Sequence, residues 1–167
     1  MAPGDDTVVT AAEVEELLHS LEGVPRHLES MAAGLDDARL HRRPSIDSWS
    51  ANDVLAHLRA CADVWGGSIM SMIERDHPTL RYVSPRTWIR KTSYPRLSFR
   101  PSLEALAAQR DNLVRTLHSL SVADWSRGAT FTRTTRGHEQ TILSYVRRIV
   151  EHEREHLDQI EETLRMV

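Results

Sequence analysis

His152-Glu153-Arg154-Glu155-His156 places two imidazoles four residues apart inside the longest helical pattern of the chain, which runs from about Gly137 to Met166. On a helix that spacing separates two side chains by only ~40° around the axis and ~6 Å along it, so both rings can aim at one ion. The neighbouring periodicity says where they aim. Ile142, Tyr145, Ile149, His152, His156, Ile160 and Thr163 step by threes and fours along one stripe, the pattern of a helix face turned to a core. One histidine on such a stripe reads as a core residue held by hydrogen bonds. Two at ligand spacing read as half of a metal site, because buried imidazoles without partners would each cost about 1–3 kcal/mol.

The same letters spell H-E-x-x-H, in which zincin proteases use the glutamate between two zinc-ligating histidines as a base. Only eleven residues follow His156 and none is histidine, so a third ligand must come from upstream. That argues against a protease and for a bundle whose helices share the ion. Glu153 is the base that the analogy prefers, although Glu153 and Glu155 each lie ~60° outside the arc of the two histidines, on opposite sides. The plainer reading of both is a solvent-facing carboxylate, or one paired with an arginine such as Arg154 or Arg148.

The element that must supply the third ligand begins at Ser50, an N-cap with Asp53 three residues on, while Trp49 can staple against Val54. The helix then carries Val54, Leu55, Leu58, Ala62, Trp65, Ile69, Met72 and Ile73 before His77-Pro78 stops it. His57 lies on its buried side, among Val54, Leu58 and Cys61, and is the expected third ligand. It sits about 10 Å from the start of its helix, and His156 about 15 Å from the end of the last one, at ~1.5 Å per residue. A shared ion therefore predicts that these two helices run antiparallel. Asp53 and Cys61 flank His57 at four residues on either side. Asp53 could orient the imidazole or serve as a cap alone; Cys61 could be a fourth ligand that closes the site, or a buried free thiol. His19, His27, His41, His77, His118 and His138 fall at helix ends or polar positions and receive no ligand role.

With 167 residues, 40% apolar and 27% charged, the chain reads as one soluble domain over residues 10–167 after a loose tail at 1–9. No apolar run approaches the ~18 residues of a membrane span. The start, Met1 to Asp6, has neither the basic flank nor the apolar segment of a signal peptide, so a cytoplasmic location is expected. The single cysteine, Cys61, excludes an internal disulfide, and a net charge of −3 gives no general pull toward nucleic acid.

Thr10 reads as the N-cap of a first helix beginning at Ala11, with Val14, Leu17, Leu18, Leu21, Leu28, Met31 and Leu35 as its apolar stripe. Gly23-Val24-Pro25 interrupts it, and the proline should kink or split the helix. Residues 36–47 read as a polar connection. Residues 78–100, with Pro78, Pro85 and Pro95, are long enough to cross over and set the third helix parallel to the second. From Arg81 to Arg100 this stretch carries six basic residues and no acid, interleaved with Tyr82, Trp88, Tyr94 and Phe99. It suits an anionic small molecule or a dimer contact ahead of nucleic acid; its plain reading is a solvated loop whose aromatics plug the bundle. The third helix opens around Arg100 or Ser102 and buries Leu103, Leu106, Leu113, Leu117 and Leu120, and residues 129–134 alternate as a short strand would.

Two motifs stand out: Trp49-Ser50-Ala51-Asn52-Asp53-Val54-Leu55-Ala56-His57-Leu58 and His152-Glu153-Arg154-Glu155-His156-Leu157-Asp158-Gln159-Ile160. Together with four long helices, they resemble the DinB/YfiT-like family over nearly the whole chain, from Ala11 to Leu164. The resemblance implies an all-α, up-down-down-up four-helix bundle with a long crossover between helices two and three. It also implies a divalent metal, commonly zinc or nickel, on three histidines that fall here at His57, His152 and His156, and a homodimer. Relatives of this kind include transferases and isomerases that use a low-molecular-weight thiol such as mycothiol, bacillithiol or glutathione, and others described as metal-dependent hydrolases.

Three neutral imidazoles leave such an ion its charge and an open position, from which a water or a thiol can be acidified into a nucleophile. The expectation is a metal-dependent thiol S-transferase or hydrolase, with the basic loop holding a small anionic or electrophilic substrate. The alternative is a non-catalytic metal-binding or dimeric module whose open position is blocked by Cys61, Trp65 or Trp88.

Overall fold

Side chains that cap helix ends fix where the long elements begin. In a computed structural model, which describes residues 8–132 and 137–167, the Thr10 hydroxyl accepts from the Glu13 N–H at 3.2 Å and opens α1, Ala11–Ala32. Most of the expected tail at 1–9 lies outside the described residues. A one-turn α2, Asp37–Leu40, follows within the polar connection, capped by Asp36. Ser50 and Asp53 form a reciprocal capping box at the start of α3, Ala51–Glu74. The third long helix, α5, spans Phe99–His118 and the last, α6, Ile142–Met166. No helix among the described residues is long and apolar enough to cross a membrane.

Two apolar clusters give the direction of each helix. One joins Val14 and Leu18 at the start of α1 to Ile69 and Met72 at the end of α3, Leu113 and Leu117 at the end of α5, and Ile142 and Tyr145 at the start of α6. The other joins Leu28 and Ala32 at the end of α1 to Val54 and Leu55, Leu103 and Leu106, and Leu157 and Ile160. The order is therefore up, down, down, up: α3 and α5 are parallel, and α3 and α6 antiparallel. This is the four-helix bundle the sequence implied.

Of the two outcomes expected at Pro25, a kink or a split, the split does not occur, and α1 runs unbroken through it. A proline has no N–H for the carbonyl four residues back, here that of Leu21, and Arg110 Nη1 approaches this oxygen at 3.5 Å.

Residues 137–141, read as the first turn of the last helix, instead form a strand. β1, Thr79–Arg81, pairs in parallel with β2, Gly128–Thr132, which pairs antiparallel with β3, Gly137–Thr141. The helix starts only after Thr141 caps it through Ser144. Strand pairing with distant residues outweighed a local periodicity that extends equally well in either state. The expected strand at 129–134 is β2 up to Thr132; its last two residues lie outside the described residues. α5 begins at Phe99, ahead of the expected Arg100 or Ser102, because the Phe99 N–H finds an acceptor in Asp37 Oδ1 at 3.1 Å.

The basic crossover folds back on α3. It contains α4, Pro85–Ile89, and a 3-10 turn over Tyr94–Arg96. Asp63 of α3 accepts from Trp88 Nε1 at 2.9 Å and Tyr94 Oη at 2.8 Å, and from Gln109 Nε2 of α5 at 2.9 Å. Arg59 stacks over the Tyr94 ring at 3.8 Å, and Phe99 is buried in the core. The interleaved aromatics thus fasten the crossover to the bundle.

Candidate metal centre

α3 contributes His57 from its second turn, and α6 contributes His152 and His156 from its middle. His152 Nε2 lies 3.2 Å from His57 Nε2 and 3.1 Å from His156 Nε2. The three ligand atoms all fall within 4.8 Å of one another, so the structure brings together the three histidines singled out in the sequence.

Aromatic walls set the electrostatics. Trp49 lies nearly parallel to the His156 ring at 6.3 Å and tilted against His57 at 5.3 Å, while Trp65 meets His152 edge-on at 4.8 Å. Burial, followed by the neighbouring His156 and Arg86, pushes the His57 pKa down to about 4. Burial, followed by His156, His57 and Arg148, pushes His152 down to about 3. Both rings are therefore neutral at pH 7, with ligating lone pairs free. Gln159 Oε1 accepts from His156 Nδ1 at 2.7 Å, which fixes the proton on that nitrogen and leaves Nε2 as the acceptor facing the other two rings.

This donor set fits a divalent transition ion. Neutral imidazole suits zinc, nickel or copper, and a cation at the convergence point would meet three lone pairs that hydrogen bonds among the rings cannot all satisfy. His152 Nδ1, buried without a hydrogen-bond partner among the described residues, marks the same incomplete pairing.

Among the neighbours of the site, Asp53 and Cys61 follow one of the two readings the sequence left open for each, a cap alone and a buried free thiol, and Glu153 departs from its expected surroundings. Asp53 does not orient His57. Burial opposes its ionisation, but hydrogen bonds from Arg43 and from Ser50 hold its carboxyl below the usual range, and it serves as the cap. Cys61 Sγ lies 3.5 Å from His57 Nε2; burial, reinforced by the charge of Glu153, pushes its thiol up, so it stays protonated. Glu153, the expected base, is neither solvent-facing nor paired with Arg148 or Arg154. It is 3% exposed, and both its oxygens accept from Arg110 of α5, Oε2 from Nη1 at 2.8 Å and Oε1 from Nη2. Arg148 instead lies over the Trp65 ring at 5.2 Å. Glu22, Glu139 and Asp37 take His118, His77 and His41, away from the centre.

Sequence reasoning missed Arg110, Gln159 and Arg86. Arg110 had a signal, since it sits on the stripe Leu103, Leu106, Arg110, Leu113, Leu117, where a charge needs a buried partner. Gln159 also had one, at three residues from His156 on the same helix face. Arg86 had none beyond its place in the basic segment. It lines a cavity of about 420 Å³ with Trp49, His156, Gln159, Asp47 and Glu162.

A bundle of this topology, with three convergent imidazoles that could hold a metal ion, defines the class of protein. The sequence model of the DinB superfamily matches residues 20–160, and the chain belongs to that superfamily. It is 25% identical over 123 residues to "Putative metal-dependent hydrolase GK0616" of Geobacillus kaustophilus (strain HTA426), covering 70% of this chain and 66% of that protein. The chain thus spans just under two thirds of that relative's length. Among solved structures, YfiT from Bacillus subtilis, described as "a probable metal-dependent hydrolase with an unusual four-helix bundle topology", superposes with a TM-score of 0.81 at 18% identity. The match covers 99% of this chain and 92% of that one.

Proposed function

We propose that this protein is a metal-dependent hydrolase of small molecules, with a divalent ion, zinc or nickel, held by His57, His152 and His156. The convergence of the three Nε2 atoms carries this reading. When bound, such an ion supplies a Lewis acid that lowers the pKa of water toward ~7 and polarises a carbonyl or phosphoryl oxygen. The chain's own residues prepare the site: burial keeps His57 and His152 neutral, Gln159 holds His156 in the ligating tautomer, and Trp49 and Trp65 pack against the rings. Glu153 acts in this reading through Arg110 as a positioning residue, and a proton-accepting role for it requires that ion pair to open.

The competing reading, a non-catalytic metal-binding module, draws on the crowding of His152 by Trp65 and of His57 by Cys61. Trp88, the third residue expected to block the site, is turned away to Asp63. The cavity beside His156 favours the hydrolase.

Zinc- or nickel-loaded protein is expected to cleave activated esters, and His57→Ala is expected to abolish this. Turnover no higher than that of His57→Ala would overturn the proposal. Turnover of electrophiles that depends on an added low-molecular-weight thiol would instead assign the same centre to an S-transferase.

A further inference from the structure

The cavity beside His156 is walled by α4, by the segment leading into α3 and by the end of α6. α4 is held against α3, because Trp88 ties it to Asp63 and its first residue, Pro85, is buried. From α4 the exposed Arg86 lines this cavity, and its guanidinium makes no ion pair among the described residues. Two other cations of the segment are turned to backbone carbonyls, Arg90 to that of Arg86 and Arg100 to that of Ala32; among the six basic residues from Arg81 to Arg100, Arg86 is the one on the lining of this cavity.

We propose that Arg86 is the anion-recognition point of a substrate pocket beside His156 that selects small molecules bearing a single carboxylate. The assignment rests on the reading of the triad as the reaction centre. A guanidinium presents a planar fork that pairs with a carboxylate through two parallel hydrogen bonds. Trp49 supplies a flat apolar wall for the body of the molecule. Asp47 and Glu162, on the same lining, oppose any anion, so the attraction for a single carboxylate rests on its direct pairing with Arg86, and charge beyond that one group is selected against. At about 420 Å³ the cavity matches a small organic acid and its immediate substituents.

Calorimetric titration of the full chain with benzoate and with its uncharged analogue benzamide tests this, first with zinc removed and then zinc-loaded. Benzoate is expected to bind the zinc-free protein more tightly than benzamide does. Arg86→Gln should weaken benzoate about tenfold, Arg86→Lys should fall between, and benzamide should be unmoved by either. Thermal melts of both variants check that the exposed substitution leaves the fold intact. Equal benzoate affinity in wild type and Arg86→Gln overturns the proposal, as does benzoate binding that requires zinc and ignores Arg86. In zinc-loaded protein, Arg86→Gln should raise about tenfold the ratio of the KM for mono-4-nitrophenyl glutarate to that for 4-nitrophenyl acetate, and an unchanged ratio counts against the proposal. If neither ester is cleaved, the hydrolase reading fails, while the benzoate titration still decides the role of Arg86.

Discussion

Arg110 Nη1 lies 3.5 Å from the carbonyl oxygen of Leu21, the oxygen that Pro25 leaves without its usual helical donor. The same guanidinium holds both oxygens of Glu153, so one side chain of α5 joins the proline-bearing stretch of α1 to the residue next to His152 on α6. Three helices are thereby fixed in register at the level of the metal centre.

Breaking this pair should be costly. Glu153→Gln strands a buried guanidinium, and a loss of about 3–5 kcal/mol in urea denaturation is expected. The double variant Arg110→Met with Glu153→Leu removes both charges and should recover most of it. A loss below ~0.5 kcal/mol for Glu153→Gln would mean that the carboxylate is solvated in solution.

Gln159→Ala should weaken zinc binding by about 10- to 100-fold with little change in metal-free stability, because it releases the His156 ring from its ligating tautomer. Gln159→Glu should restore the affinity. Competition with a chromophoric chelator measures both. Equal affinity across the three proteins would show that His156 needs no such partner.

Metal-free protein should lose stability as the medium is acidified. His57 and His152 have folded pKa values of about 4 and about 3, below the ordinary 6.5, so the unfolded chain takes up protons first. Stability from these groups is fully present above pH 6.5 and is lost as the pH falls through the interval down to 4 and then 3. The melting temperature should therefore drop between pH 7 and pH 5, and drop less in His152→Asn. A flat profile over that range would show that the rings are not held neutral.

Gly128 pairs with Thr141, the residue that caps α6. A Cβ at this position would lie 2.6 Å from the Gln140 carbonyl oxygen, a backbone atom that cannot swing aside. Gly128→Ala should cost about 1–3 kcal/mol by thermal denaturation. A neutral effect would mean that the β2–β3 pairing yields readily.

Local patterns settled much of this protein in advance. The spacing of His152 and His156 on an apolar stripe, the Ser50–Asp53 cap and the axial level of His57 placed three imidazoles at one height on two antiparallel helices, because helical periodicity and capping act within a few residues. Tertiary structure decided what distant partners decide. Glu153 became an ion-paired core residue once α5 brought Arg110 to it, and residues 137–141 became a strand once β2 offered backbone partners. Arg86 came to border His156 because the crossover is fastened to α3 through Asp63. A buried charge or a strand edge takes its state from whatever lies across the fold, and no window of neighbouring residues contains that information.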